Sequence, residues 1–425
     1  MAGKHFGGQK MEAGYLRDYF SAVAVKRLSA VEADLAVSNQ HEYNGVSALK
    51  KMFGTRQEKL VLPTQFLYMA DEDDPIEAKG ELTWYDARFR HATRTEWRLY
   101  YPTNEVTTSA SAGDALFICQ KKDGSVLEII ARKETNIENQ LFWLFDVRPG
   151  EDSGKFVAKT EIKEQPSDRV RFTARMLLLQ IGIEVVSDTE DDYTEILVDR
   201  FGNSFPTTKE FSAFARSTVE VDPIRNPDDA LLRWYEREEK MFMCMERHLI
   251  QERLREGFTD QDAVDVDAFI RFSLSVNNRR KSRAGFSLEN HLEALFTVQN
   301  IRYSHTPITE NRSKPDFLFP SIERYKDMSY PSTNLTMLGA KTTAKDRWRQ
   351  VLEEADRIER KHLITLEGAI SEYQTNEMIS RNLQLVIPKE IQETYSERQK
   401  KWLYSVSDFL QEVRERQAFD DSWKA

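Results

Sequence analysis

Between Asn277 and Glu354 the chain gathers the residue types that phosphodiester hydrolysis requires. Asp316 follows Pro315 at the start of the apolar run Phe317-Leu318-Phe319, and Lys341 closes a later apolar run that begins near Leu335. If these runs are neighbouring strands, the carboxylate and the ammonium project at one end of one sheet. There they can hold a divalent metal and a phosphate. Mg²⁺ prefers oxygen ligands and keeps several waters, so one or two carboxylates suffice. Such an ion stabilises developing phosphoryl charge and lowers the pKa of its water.

The common pattern for such sites has an acid two residues before the lysine, and that position is Gly339. Glu354, on a helix expected to begin near Asp346, is spaced to bring a replacement carboxylate back to the same point. Glu289 and Glu293 are four apart and share one helical face. One of them can support a metal-bound water, and Glu293 is expected on a solvated face. His291 and His305 are expected to be ordinary surface or core histidines.

Two basic clusters bracket these acids. Arg279, Arg280, Lys281 and Arg283 stand beside Ala284-Gly285, and Lys345, Asp346, Arg347 and Arg349 follow Lys341 closely. Arginine can bond guanine O6 and N7 in bidentate fashion, and aspartate can accept from cytosine N4, so the second cluster suits G·C pairs. A solvated helix face produces the same kind of charge run.

The elements that must position these groups fall into two halves. Up to about residue 148 the sequence reads as short strands with turn signals. Asp123-Gly124 between two apolar runs is a hairpin signal. This half is expected to be mostly β, a barrel or pseudobarrel. Beyond Phe205 strands alternate with helices, which predicts an α/β domain with a central mixed sheet flanked by helices. Asn226-Pro227-Asp228 should open a helix, with Asn226 as its cap. Trp234, Met241, Phe242, Met245 and Leu249 recur at helical spacing, as core residues would. The expected organisation is an N-terminal domain over 1–165, a connecting segment over 166–200 and a C-terminal domain over 201–425.

With 425 residues, 40% hydrophobic and 31% charged, the composition is that of a soluble chain too long for one ordinary core. No apolar run approaches the ~20 residues that span a bilayer, and the first residues lack the apolar core of a signal peptide. No membrane association is expected. Cys119 and Cys244 read as buried, unpaired thiols. A net charge of −10 excludes indiscriminate nucleic-acid binding and leaves localised basic patches to do any gripping.

Over about residues 270–360 the chain resembles the EcoRII-type restriction endonucleases, members of the PD-(D/E)xK nuclease superfamily. The words carrying the resemblance are NRRKSRAG, the SLE around Glu289, KPDFLFPS around Asp316, KTTAKDRWRQ from Lys341, and EAD at Glu354. In that family the acid before the lysine is displaced onto the following helix. The resemblance implies Asp316 and Glu354 as Mg²⁺ ligands, Lys341 as the group that orients or activates the attacking water, and Glu289 as the supporting acid. It also implies Lys345, Asp346 and Arg347 as readers of C·G pairs. Such enzymes cut duplex DNA at CC-N-GG-type sites (CCWGG here) as homodimers. They work beside a cognate DNA methyltransferase in the prokaryotic cytoplasm. A rival reading is a regulator that binds DNA on the same fold without cutting it.

The N-terminal half resembles that family's effector domain, a pseudobarrel expected to bind a second copy of the site and to inhibit cleavage in its absence. Lys26 and Arg27, with Arg94, Glu96 and Arg98, carry this likeness. Asn39, Gln40 and His41 look like the opposite DNA-gripping arm. The chain departs from the family at Ala92 and Trp97, where lysines are usual, and near Trp234 and Tyr235, where an arginine is usual. Alternating Arg94, Glu96 and Arg98 would face one side of a strand, where a salt-bridge ladder on the sheet surface is the competing reading.

Overall fold

Alternating apolar residues with β-branched and aromatic side chains build the first sheet. The computed structural model describes residues 16–33, 41–44, 46–55, 59–71, 74–91, 93–150, 154–160, 178, 181, 193–260, 263–344 and 347–422. The backbone divides into two units, Met1–Asp188 with Ala369–Gln374, and Thr189–Gly368 with Thr375–Ala425. Most of the expected connecting segment 166–200 lies outside the described residues. The short stretch Ala369–Gln374 was expected with the C-terminal half and instead groups with the N-terminal unit. Local sequence pattern carries no signal for such tertiary grouping.

In the first unit, β1 (Phe20–Arg27), β2 (Glu42–Tyr43), β3 (Leu60–Met69), β4 (Ile76–Asp86), β5 (Trp97–Tyr100), β6 (Ala115–Lys121), β7 (Val126–Ala131) and β8 (Val157–Lys159) form one sheet. Its order is β2-β5-β4-β3-β7-β6-β1-β8, open between the edges β2 and β8 among the described residues. The β3–β7 pair is parallel and the other pairs are antiparallel. The β6–β7 hairpin turns at Asp123-Gly124, where Gly124 takes φ +85°, a region that favours glycine. The central strands are buried on both faces, and alternate residues feed two cores. Phe117, Cys119, Leu127 and Ile129 pack with helix α1 (Asn136–Phe145), while Leu116, Ile118, Val126 and Ile130 pack with Trp84, Trp97 and Phe66. Burying each such side chain contributes roughly 1.5–3 kcal/mol. Cys119 is buried, whereas Cys244, also expected to be buried, is half-buried.

The second unit has a two-stranded ladder, β9 (Thr259–Asp260) with β10 (Ala263–Val264), and a five-stranded mixed sheet. The sheet runs in the order β11 (Ser304–His305), β12 (Phe317–Phe319), β13 (Thr336–Lys341), β14 (Lys361–Thr365), β15 (Leu383–Val386). The first three strands pair antiparallel and the last three pair parallel. The helices that matter here are α2 (Thr208–Ser217), α3 (Pro227–Glu256), α4 (Val266–Val298), α5 (Trp348–Val351) and α6 (Val406–Ser422). The stripe of α3 is core: Trp234, Met241, Phe242 and Met245 are buried, and Leu249 packs partly against them.

Two local expectations need correction. Asn226 makes no side-chain cap bond at the start of α3. Instead Asp228 accepts from Val406 N at 2.8 Å, Ser407 N at 3.0 Å and Lys389 N at 3.0 Å, so this buried carboxylate serves the first turn of α6. The helix expected from Asp346 to beyond Glu354 is a single turn, Trp348–Val351, and Glu354 lies in the irregular segment after it. No helix among the described residues is long and apolar enough to cross a membrane.

Candidate active site

Strand pairing brings Asp316 and Lys341 together. In the antiparallel β12–β13 ladder Phe317 lies opposite Leu338, so the residue before β12 meets the last residues of β13. Asp316 Oδ2 accepts from Ala340 N at 2.6 Å and from Lys341 Nζ at 2.8 Å. Both side chains are largely covered, at 13% and 22% exposed. Both bonds fall on Oδ2.

Glu354 reaches the same locality from the segment after α5. Burial pushes its carboxyl up to about 7; the negative charge of Asp316 adds to the rise, and Lys341 and Lys361 oppose it. Its Oε2 is buried with no hydrogen-bond partner among the described residues. Glu289, on α4, is also raised, by burial first and in part by Asp316, while a hydrogen bond from His305 and the charge of Lys341 pull it down. The three acids therefore share one electrostatic neighbourhood with one lysine. Mutually repelling carboxylates of this kind are what a cation relieves. Among the described residues no three His, Cys, Asp or Glu side chains form a ready ligand cluster. An ion held by one or two carboxylates and water needs no such cluster.

The histidines divide. His291 is fully buried between α3 and α4, with Nε2 3.0 Å from Glu238 Oε2, as a core histidine would be. His305 was expected to be equally ordinary, yet it lies 2.9 Å from Glu289 at Nε2 and 3.4 Å from Glu293 at Nδ1. Glu293 is correspondingly not on a solvated face: it is 19% exposed and also pairs with Lys209 at 3.1 Å. The two-glutamate spacing carried a signal for this pairing, but the partner depended on strand register.

The basic clusters are partly structural. Arg283 is 11% exposed and lies 4.4 Å from the Phe242 ring, so its placement corrects the expectation of a DNA contact. Arg280 pairs with the buried Glu246 at 2.5 Å, and Arg279 packs 5.0 Å from the Phe205 ring. Lys281 lies on α4, with its side chain outside the described residues. Lys345 and Asp346 also lie outside them. Arg347 and Arg349 are exposed at the start of α5, and Arg349 pairs with Glu377 at 3.1 Å. Just before this cluster, Ala344 N donates to the buried Glu367 Oε2 at 2.5 Å, an anchor that sequence reading did not identify.

In the first unit Lys26 is 0% exposed and donates to Glu32 at 2.6 Å, Asn44 O at 3.0 Å and Gly154 O at 3.3 Å. Its expected role on DNA is therefore corrected: all of its donors point inward. Arg27 is 30% exposed and pairs with Glu138. The strand carrying Arg98 begins only at Trp97, so Arg94 and Glu96 lie in the irregular segment before it rather than on one strand face with Arg98. Glu96 bridges Arg88 at 2.5 Å and Arg98 at 2.6 Å, and Arg98 reaches Glu42 at 2.8 Å. That is the surface ion-pair ladder. His41 is half-buried beside Tyr100 and Tyr101, while Asn39 and Gln40 lie outside the described residues.

A mixed sheet ending in a carboxylate–lysine pair, with two further acids in its field, has the make-up of a nuclease domain. Residues 242–410 match the family described as EcoRII C terminal. The type II restriction enzyme EcoRII of Escherichia coli is 32% identical over 406 residues, covering 93% of this chain and 94% of that protein. Two solved structures, metal-depleted Ecl18kI with uncleaved DNA and with uncleaved, modified DNA, are each 22% identical. Each covers 55% of this chain and 85% of its own, with a TM-score of 0.43. The chain belongs to the EcoRII family of type II restriction enzymes.

Proposed function

We propose that the protein hydrolyses phosphodiester bonds of double-stranded DNA at a specific CC-N-GG-type site, CCWGG. Water attacks in line, leaving 5′-phosphate and 3′-hydroxyl ends. The observation that carries this reading is the Asp316–Lys341 contact at 2.8 Å with Glu354 in the same field, in a chain of this family. Mg²⁺ fits the oxygen donors: Glu354 Oε2 is buried and has no hydrogen-bond partner among the described residues, and burial, with the charge of Asp316 adding to it, raises the Glu354 and Glu289 carboxyls. Asp316 and Glu354 would hold the ion, which when bound neutralises phosphate charge and acidifies water. Lys341, anchored by Asp316, orients the attacking water, and Glu289 supports it from α4.

Lys345, Asp346 and Arg347 are the proposed base readers, with Arg349, Arg279, Arg280 and Lys281 near the backbone. In the first unit, Arg27, Asn39, Gln40, His41, Arg94, Glu96 and Arg98 are proposed to bind a second, effector copy of the site and to relieve inhibition of cleavage. A homodimer addresses both strands, in the cytoplasm of a prokaryote whose own sites a methyltransferase protects. Purified protein with plasmid and Mg²⁺, followed by sequencing of the ends, tests the activity. A band shift with no strand break would instead favour a non-cutting DNA binder. The effector role requires that an oligonucleotide bearing the site accelerate cleavage of one-site DNA; no acceleration removes it.

A further inference from the structure

His305 reaches the reactive end of the sheet along the same backbone that delivers Asp316. It pairs with Phe317 in the β11–β12 register, and Thr306 N donates to Asp316 O at 2.9 Å. Its ring stacks on that of Phe317, with centroids 5.0 Å apart and planes inclined by 21°. Both ring nitrogens end on carboxylates of α4: Nε2 on Glu289 Oε2 at 2.9 Å and Nδ1 near Glu293 Oε1 at 3.4 Å. Glu293 is held in turn by Lys209 at 3.1 Å. The imidazole is thus fixed on one face by an aromatic ring and at one nitrogen by a tethered acid, so its other nitrogen has a set direction. That nitrogen meets Glu289, whose carboxyl also lies in the field of Asp316 and Lys341.

We propose that His305 is a positioning residue for cleavage: it fixes the Glu289 carboxylate toward the Asp316–Lys341 pair and so couples α4 to the sheet end. The proposal rests on the nuclease reading above. A glutamate side chain has several rotamers of similar energy, and a donor that is itself immobile selects one of them. Groups that orient a metal-site carboxylate without touching substrate typically change activity by about 10–100-fold when removed.

The test uses the full chain, with His305→Ala, His305→Gln, Glu289→Gln and the His305→Ala/Glu289→Gln double variant. His305→Ala is expected to slow single-turnover cleavage of pre-bound site DNA by about 10–100-fold. Its melting temperature and metal-free DNA affinity should stay near the parent's. His305→Gln, which can present an amide N–H in place of Nε2–H, should recover much of the rate. In the Glu289→Gln background, loss of His305 should add little. A separate readout needs no metal and no cleavage: in ¹⁵N-histidine-labelled protein, with its seven histidines, the His305 ring resonances should move on Glu289→Gln. An unslowed His305→Ala enzyme, fully additive losses, or unmoved resonances would overturn the proposal. A parent protein that never cuts DNA would sink the nuclease reading instead, and the resonance measurement would still decide the His305–Glu289 contact.

Discussion

Val351 occupies the space that a side chain on Gly339 would need. A Cβ at 339 would stand 2.9 Å from Val351 Cγ2 and 3.3 Å from Cγ1, with Leu363 Cδ1 at 3.6 Å. A side chain at 339 is therefore opposed by packing between β13 and α5, and Glu354, the proposed replacement acid, lies beyond that helix.

Gly339→Asp, which restores the usual spacing, should destabilise the protein by about 1–3 kcal/mol through overpacking and should not substitute for Glu354. Trimming the obstacle in Gly339→Asp/Val351→Ala should recover part of that loss. Urea denaturation measures both. An unchanged midpoint for the single variant would contradict the steric account.

Lys341→Ala should abolish cleavage while leaving metal-free binding to site DNA within a few-fold of the parent. Arg347→Ala should do the reverse, weakening specific binding by about 1–3 kcal/mol while sparing non-specific binding. Gel shift and single-turnover cleavage on the same DNA separate the two. A lysine variant that binds poorly but cuts whatever it binds would exchange the two roles.

Lys26→Ala should behave as a folding defect. It leaves Glu32 buried without its cation, a change that costs about 3–5 kcal/mol in comparable pairs. Thermal denaturation should show the loss in the absence of DNA. A variant of parental stability with weakened DNA binding would return Lys26 to the DNA-contact set.

Glu128 gives the first unit a pH dependence. It is fully buried, accepts the Tyr43 hydroxyl at 2.6 Å, and burial lifts its pKa to about 8 from an ordinary 4.5. The folded chain therefore binds this proton more tightly than the unfolded chain. The associated stability is fully present below about pH 4.5 and is lost as pH rises to about 8, by roughly 1.4 kcal/mol per pH unit within that window. Glu128→Gln should match the parent near pH 4 and exceed its melting temperature near pH 9. Parallel pH profiles for the two proteins would show that Glu128 is not the cause.

Much of this was legible in the sequence because it follows from local pattern. The apolar runs after Asp316 and before Lys341 are adjacent strands, Asp123-Gly124 is a hairpin turn, and the α3 stripe is core. What stayed hidden depended on contacts between distant segments. Arginine at 283 reads as an exposed charge until Phe242 and Glu238 of α3 are seen against it. Lysine at 26 looks solvated until Glu32 and the backbone carbonyls of Asn44 and Gly154 surround it. His305 has no sequence neighbour that marks it, because its partners arrive by strand register and from α4. The length of α5 misled for a related reason: the residues around Glu354 have helical propensity, yet the helix ends at Val351, tighter turns follow as far as Glu354, and the chain takes φ +51° at Ala355.

One unbroken helix, Val266–Val298, bears both the arginines at 279 and 280 and the carboxyl at 289. At about 1.5 Å of rise per residue these stations are roughly 15 Å apart on a single rod. A rod without a joint transmits tilt along its length. If a duplex pulls on the arginine end, as proposed, the carboxyl end swings with it.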